Sequence, residues 1–216
     1  MKKLVLLGAG GFGREVASNI VRPLNKFSPS YDLLGFIDDG EQFHPGMMID
    51  GYPWLGGREW IIEHRDEVYC TCTVGNAKVK AALQKKLTEQ GVRFESLICH
   101  GVYIGPDSEI GPGCVIYGWV TISVNCRIGA GVLLNDSVHI GHDVVIGDYT
   151  CIMPGTGISG ECRIGSEVDI GGHAYIVPGR KIGDGAHVAA GSVVFSNVKA
   201  GTTVLGNPAK RMKAIE

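Results

Sequence analysis

The chain has 216 residues, 44% of them hydrophobic, and a formal net charge of −2. It has room for one large domain or two small ones and no electrostatic basis for gripping nucleic acid. No stretch is long enough to span a bilayer, so no membrane insertion is expected, and Gly8 cuts the apolar run 4–7 too early for a signal peptide. Seven scattered cysteines form no paired framework; they fit small buried residues in a reducing cytosol, which makes a cytoplasmic location the expectation.

Residues 3–7 predict a buried parallel strand, followed by the glycine turn Gly8-Ala9-Gly10-Gly11-Phe12-Gly13 and by helix periodicity over 14–21. A second strand is expected over 33–37, ending in Asp38-Asp39-Gly40, and the Gly- and Pro-rich stretch 41–57 reads as loop. Residues 68–74 predict a third strand closed by Gly75-Asn76; 77–90 predict a helix that Gly91 ends. Strands alternating with helices give a small parallel α/β domain over 1–97, a Rossmann-like half-domain. Within it, Gly8-x-Gly10-x-x-Gly13 between strand and helix matches the dinucleotide fingerprint, whose glycines let a phosphate approach the backbone closely. One mononucleotide-binding half suits a nucleotide diphosphate joined to a sugar better than it suits NAD. Asp38 and Asp39 are expected to accept hydrogen bonds from base or ribose, the alternative being a tight turn in a helper domain with no ligand.

From Ile98 to Val194 every sixth residue is aliphatic, without a break. Neither helix nor ordinary strand has that period; a fixed hexad marks a parallel β-helix. The first position fills the core of a triangular prism, and the fifth is small, Arg180 being the one departure. The second, often glycine, is expected to take corner conformations that other residues resist. Three hexads make a coil, so residues eighteen apart stack at about 4.8 Å per coil. This all-β domain is expected over 98–198, with an extended tail over 199–216.

In the hexad Ile140-Gly141-His142-Asp143, the histidine holds the third position, which need not fill the core. Acyl transfer from a thioester needs a base for the attacking amine or hydroxyl, and His142 beside an acidic Asp143 supplies one. Its column holds Val124, Gly160 and Pro178; Gly160 is expected to leave an open wall and an accessible N–H for a long thin ligand. A solvated histidine on a polar face is the alternative. A zinc hydratase of hexapeptide type would need three converging histidines, but His139 and His142 are three apart and Tyr103 stands two coils earlier, so no metal is expected. His173 and His187 read as surface residues, with His187 in the column of Cys151; His100 lies at the start of the prism.

Taken together, Gly8-Ala9-Gly10-Gly11-Phe12-Gly13-Arg14-Glu15, Phe36-Ile37-Asp38-Asp39, Val74-Gly75-Asn76, Leu134-Asn135, Ile140-Gly141-His142-Asp143, Ile146-Gly147-Asp148 and Val204-Leu205-Gly206-Asn207-Pro208-Ala209-Lys210 carry a resemblance across essentially the whole chain. It resembles the bacterial nucleotide-sugar acetyltransferases: the UDP-4-amino-sugar N-acetyltransferases of the bacillosamine type and the related sialic acid O-acetyltransferases, which are hexapeptide-repeat acyltransferases. The resemblance implies a left-handed β-helix and a homotrimer with active sites in the clefts between neighbours. It implies His142 as general base with Asp143 as its partner, and Asn135 near the acceptor. Nucleotide-sugar recognition is implied around Gly8, Gly10, Gly11, Phe12, Asp38, Asp39, Gly75 and Asn76. Acetyl-CoA, the implied co-substrate, would run past Cys151, Gly160, Pro178, Ala190 and Lys210. Lys210, Arg211 and Lys213 read equally as a CoA-phosphate contact or a solvated terminus. Cys151 departs from the pattern, since many relatives have there a histidine that contacts the thioester carbonyl. A thiol is a poor donor, so it reads as wall packing, and the oxyanion would depend on backbone N–H groups such as that of Gly160. The function expected is acetyl transfer to the amine or hydroxyl of a nucleotide-linked amino sugar or sialic-acid-like sugar. The alternatives are O-acetylation of a free sugar or serine, a metal-bound hydratase, or a scaffold.

Overall fold

The computed structural model describes residues 1–18, 31–99 and 101–212, so His100, Lys213 and the end of the 14–21 helix expectation lie outside the described residues. In chain order the first domain comprises β1 (Lys2–Leu7), α1 (Gly11–Val16), β2 (Tyr31–Ile37), β3 (Met48–Ile49), β4 (Tyr52–Gly56), α2 (Arg58–Glu63), β5 (Tyr69–Cys72) and α3 (Ala77–Glu89). The sheet order is β3-β4-β2-β1-β5, with β1 parallel to both neighbours. Alternation along β1 sends Leu4 and Leu6 to one side and Val5 and Leu7 to the other, so both faces of the sheet are buried.

Two elements differ from expectation. The stretch read as loop over 41–57 holds a hairpin, β3 antiparallel to β4, and β4 pairs in parallel with β2. Asp50 and Gly51 at its tip both have positive φ, the Asp-Gly turn that favours two-residue hairpins. Helix α2 is too short to show periodicity in sequence; its first amide, that of Arg58, donates to Asp39 Oδ1 at 2.8 Å.

The second domain is a prism of two-residue strands, one per hexad, from Leu97–Ile98 to Val193–Val194. Strands eighteen residues apart pair in parallel, as in Thr121↔His139↔Gly157, which distributes them over three faces. The first face carries Val115, Leu133, Cys151 and Asp169 on its outside, the second Tyr103, Thr121, His139 and Tyr175, the third Glu109, Arg127, Arg163 and Lys181. The α/β domain docks on the first face: Leu133 and Cys151 share a buried cluster with Leu4, Leu6 and Phe36. The tail continues that face, Thr203–Leu205 adding a parallel strand beside His187–Val188 and Lys210–Arg211 turning back antiparallel.

The first-position aliphatics and fifth-position small residues together form one continuous core, each fully buried aliphatic contributing about 1.5–3 kcal/mol. At the open N-terminal end Ile98 and Ile104 remain partly exposed, because no coil lies beneath them to complete the core. The fifth position has a second duty. Cys126 Sγ donates to Gly141 O at 3.1 Å, Thr150 Oγ1 to Gly165 O at 2.8 Å and Ser108 Oγ to Ser123 O at 2.8 Å, which satisfies corner carbonyls that would otherwise be buried unpaired. The reason for second-position glycine is also different from that expected. Left-handed φ falls at the fourth position, at Asn125 (+57°) and Asp143 (+58°) among others. The second position is tight instead: a Cβ on Gly141 would lie 2.5 Å from the amide nitrogen of Gly160 in the next coil.

Candidate active site

His142 and Asp143 stand at the corner between the second and third faces, immediately after the strand His139–Ile140. Their backbone is tied on both sides: Asp143 N–H donates to Val124 O of the preceding coil at 3.0 Å, and Glu161 N–H of the following coil donates to His142 O at 2.8 Å. The imidazole Nδ1 donates to Asp143 Oδ2 at 2.7 Å, and the two side chains are 56% and 46% exposed, so Nε2 is left free at an accessible corner. The His142 hydrogen bond, with a second from Asn125, holds the Asp143 carboxyl below the usual range and keeps it ionised beside the ring.

Gly160 lies beneath this ring. A Cβ there would sit 2.5 Å from Nε2 and 2.6 Å from Cε1 of His142. The expected open wall is therefore occupied: Gly160 is the floor on which the imidazole rests, and it is buried. Pro178 continues the column and is exposed, whereas Ala190 lies at the other edge of the second face and Lys210 on the returning strand of the tail. Arg211 and Lys199 line a groove of about 310 Å³ at that end of the prism.

Cys151 is not in this groove. It faces outward on the first face, where α3 covers it; it is 0% exposed and receives a hydrogen bond from Lys80 Nζ at 3.1 Å. Burial pushes its thiol up, and a co-substrate has no route to it within the chain. The expectation that acetyl-CoA passes Cys151 is corrected on that ground, while the reading as packing agrees with the geometry. His187, in the same column, and His173 are exposed. His139 Nδ1 shares a hydrogen bond with Thr121 Oγ1 at 2.8 Å, and among the described residues no three His, Cys, Asp or Glu side chains converge as metal ligands.

The residues expected to hold the acceptor fall into two groups. Gly10, Arg14, Phe43 and Met47 line a groove of about 350 Å³ beside the glycine turn. A side chain on Gly10, Gly11 or Gly75 would meet nothing within 4 Å, so these backbones are open to close approach, whereas Gly8 is in left-handed conformation and hydrogen-bonded to Ile37 and Thr73. The carboxylates make hydrogen bonds within the chain. Asp38 accepts from Ala9 N–H at 2.8 Å and Gly40 N–H at 2.9 Å, and Asp39 caps α2 and pairs with Arg58. Asn76 caps α3 through Val79 N–H at 3.0 Å, and Phe12 stacks on Tyr117 of the prism with ring centroids 6.0 Å apart. Asn135 accepts from Asp136 N–H at 2.7 Å and sits at the opposite end of the second face from His142. The expected site thus divides into two clusters within one chain, with the second face between them. Asn125 was missed by the sequence reading, although its place eighteen residues before Asp143 announces the contact.

Residues 3–87 match the PglD N-terminal domain, and residues 125–160 match the six-repeat bacterial transferase hexapeptide. The chain is 31% identical over 124 residues to the GDP-perosamine N-acetyltransferase of Escherichia coli, a match that spans 57% of this chain and 55% of that relative's length. The acetyltransferase domain of PglB from Neisseria gonorrhoeae, in complex with acetyl coenzyme A, is 28% identical and superimposes with a TM-score of 0.86, covering 98% of this chain and 99% of that one. WeeI from Acinetobacter baumannii is 32% identical with a TM-score of 0.86, covering 98% of this chain and 100% of that one. A half-Rossmann domain docked on a left-handed hexapeptide prism, the two family matches and the agreement with WeeI over 98% of this chain lead to one assignment: the chain belongs to the bacterial nucleotide-sugar acetyltransferase family.

Proposed function

We propose that the protein transfers an acetyl group from acetyl-CoA to the amine of a nucleotide-linked amino sugar. The observation that carries the reading is the 2.7 Å contact between His142 Nδ1 and Asp143 Oδ2, which orients the ring with Nε2 free. In this reading Nε2 takes the proton as the amine nitrogen attacks the thioester carbonyl. The imidazolium, stabilised by Asp143, then returns a proton to the departing CoA sulfur as the tetrahedral intermediate collapses. The nucleotide lies in the groove beside Gly10 and Arg14. The names of the relatives support acetyl-CoA as donor and favour an amine over a hydroxyl.

The separation of Asn135 from His142 within one chain supports a homotrimer, in which a neighbouring subunit completes the site. Tyr103 and Tyr175 stand exposed on the second face, with Trp119 and Phe195 exposed nearby, an apolar surface suited to self-association. Seven free, buried cysteines support a reducing, cytoplasmic setting. The test is thiol release from acetyl-CoA in the presence of GDP-perosamine and of UDP-4-amino-4,6-dideoxy sugars, with light scattering on the same sample. Acceptor-dependent thiol release by a particle of three chains is the expected result; no release with any amino-sugar nucleotide, or a monomer with full activity, overturns the reading.

A further inference from the structure

Asn125 lies on the coil before His142, in the column of Asp143. Its Nδ2 donates to Asp143 Oδ1 at 2.6 Å, while the other carboxylate oxygen, Oδ2, accepts from His142 Nδ1 at 2.7 Å. The carboxylate is therefore held at both oxygens, by one amide and one imidazole, in a chain Asn125–Asp143–His142 that ends on the free Nε2. The backbones at both ends of the Asn125–Asp143 contact take left-handed φ, +57° and +58°, which makes their side chains project in parallel from stacked corners. An exposed carboxylate with one partner rotates about its χ2 torsion; a second, opposed hydrogen bond removes that freedom.

We propose that Asn125 is a positioning residue for the acyl-transfer base, fixing the Asp143 carboxylate so that the imidazole keeps its Nε2 aimed into the cleft. This rests on the reading of His142 as the base. The amide contributes no proton and no charge. It selects one carboxylate orientation, and through it one tautomer and one ring plane. The other titratable or charged groups on the elements stacked around this corner are Asp107 and Glu161 in the same column, His139 on the strand before, and Glu109, Arg127 and Arg163 on the strands of the third face.

Two substitutions in the full-length chain separate positioning from folding. Asn125→Gly removes the donor yet suits the left-handed backbone better than asparagine does. Asn125→Asp is nearly isosteric and tolerates the same backbone, but sets a second carboxylate against Asp143. The expected order of kcat is wild type, then Gly lower by about 10-fold, then Asp lower still, with KM for acetyl-CoA and for the amino-sugar nucleotide within about 2-fold. A merely structural role puts both variants near wild type in kcat, or moves melting temperature and activity together. The readout independent of turnover is the ring tautomer of His142, followed by nitrogen NMR on histidine-labelled protein without ligand. Wild type holds the proton on Nδ1, beside Asp143, and both variants mix the two tautomers. Wild-type kcat in both variants with an unchanged His142 tautomer overturns the inference. His142→Ala serves as the reference: if it retains turnover, the assignment of the base is what fails, whereas an inactive His142→Ala beside a fully active Asn125→Gly removes only the role given to Asn125.

Discussion

Replacing Gly160 by alanine places one methyl group under the imidazole. Gly160 is not in the left-handed region, so its backbone accepts alanine without strain. The added Cβ would lie 2.5 Å from Nε2, 2.6 Å from Cε1 and 2.9 Å from Cδ2 of His142, and ordinary contact begins at 3.4 Å. The ring must therefore retreat by about 0.9 Å or swing out and break its hydrogen bond to Asp143. Misplacing a reacting group by about 1 Å costs on the order of 10²-fold in rate. The expected outcome for Gly160→Ala is a kcat lower by about 10²-fold, with KM for acetyl-CoA changed by less than about 3-fold and the melting temperature close to wild type. Steady-state thiol release and a thermal melt on the same preparation measure all three. The distribution of the effect is diagnostic: were Gly160 chiefly a cofactor contact, KM would rise while kcat held. A kcat within 3-fold of wild type would refute the claim that this glycine is the floor of the imidazole.

His142→Ala should abolish acceptor-dependent thiol release while calorimetry still detects acetyl-CoA binding; measurable turnover near wild type would sink the assignment. Burial pushes the Cys72 and Cys114 thiols from 9.0 up to about 11. The unfolded chain releases these protons first, so stability present below pH 9 drains as pH rises towards 11, by about 3 kcal/mol per thiol, and melting temperatures across that window should fall. All seven thiols should be slow towards an aromatic disulfide reagent at pH 8 in the native protein and fast in denaturant; several fast native thiols would contradict the buried assignment. Cys151→His, which installs the ring that the family resemblance implies there, forces an imidazole into a site closed by Lys80 and should cost about 1–3 kcal/mol without raising kcat; a gain in activity would show that the α3 contact opens.

The hexad made the prism legible because its period is enforced at every coil by the same two inward positions, and the strand–turn–helix opening of the α/β domain was legible for a similar reason. The hairpin at Asp50-Gly51 was not, because its strands are short and half-buried and show no alternation, although the turn dipeptide itself was in view. In the site, His142 and Asp143 could be read from chemistry and position. The backbone hydrogen bonds of Asp38, Asp39 and Asn76 were not legible, because carboxylates and amides beside turns bind ligands and cap backbone with the same atoms. Cys151 was assigned to the cofactor path by resemblance; its face of the prism is decided by which side the α/β domain covers, a tertiary fact with no local signal. Asn125 could have been found by counting eighteen back from Asp143.

The pairing of residues three hexads apart also constrains how this chain can change length. Between Asn125 and Gly160, inserting or deleting a single hexad would rotate everything downstream by a third of a turn, carrying the base onto a different side from its support above or below. Whole turns of eighteen residues are the smallest indels that keep the three faces in register, and only before Asn125 or after Gly160 do they also leave the Asn125–Asp143 and His142–Gly160 contacts intact.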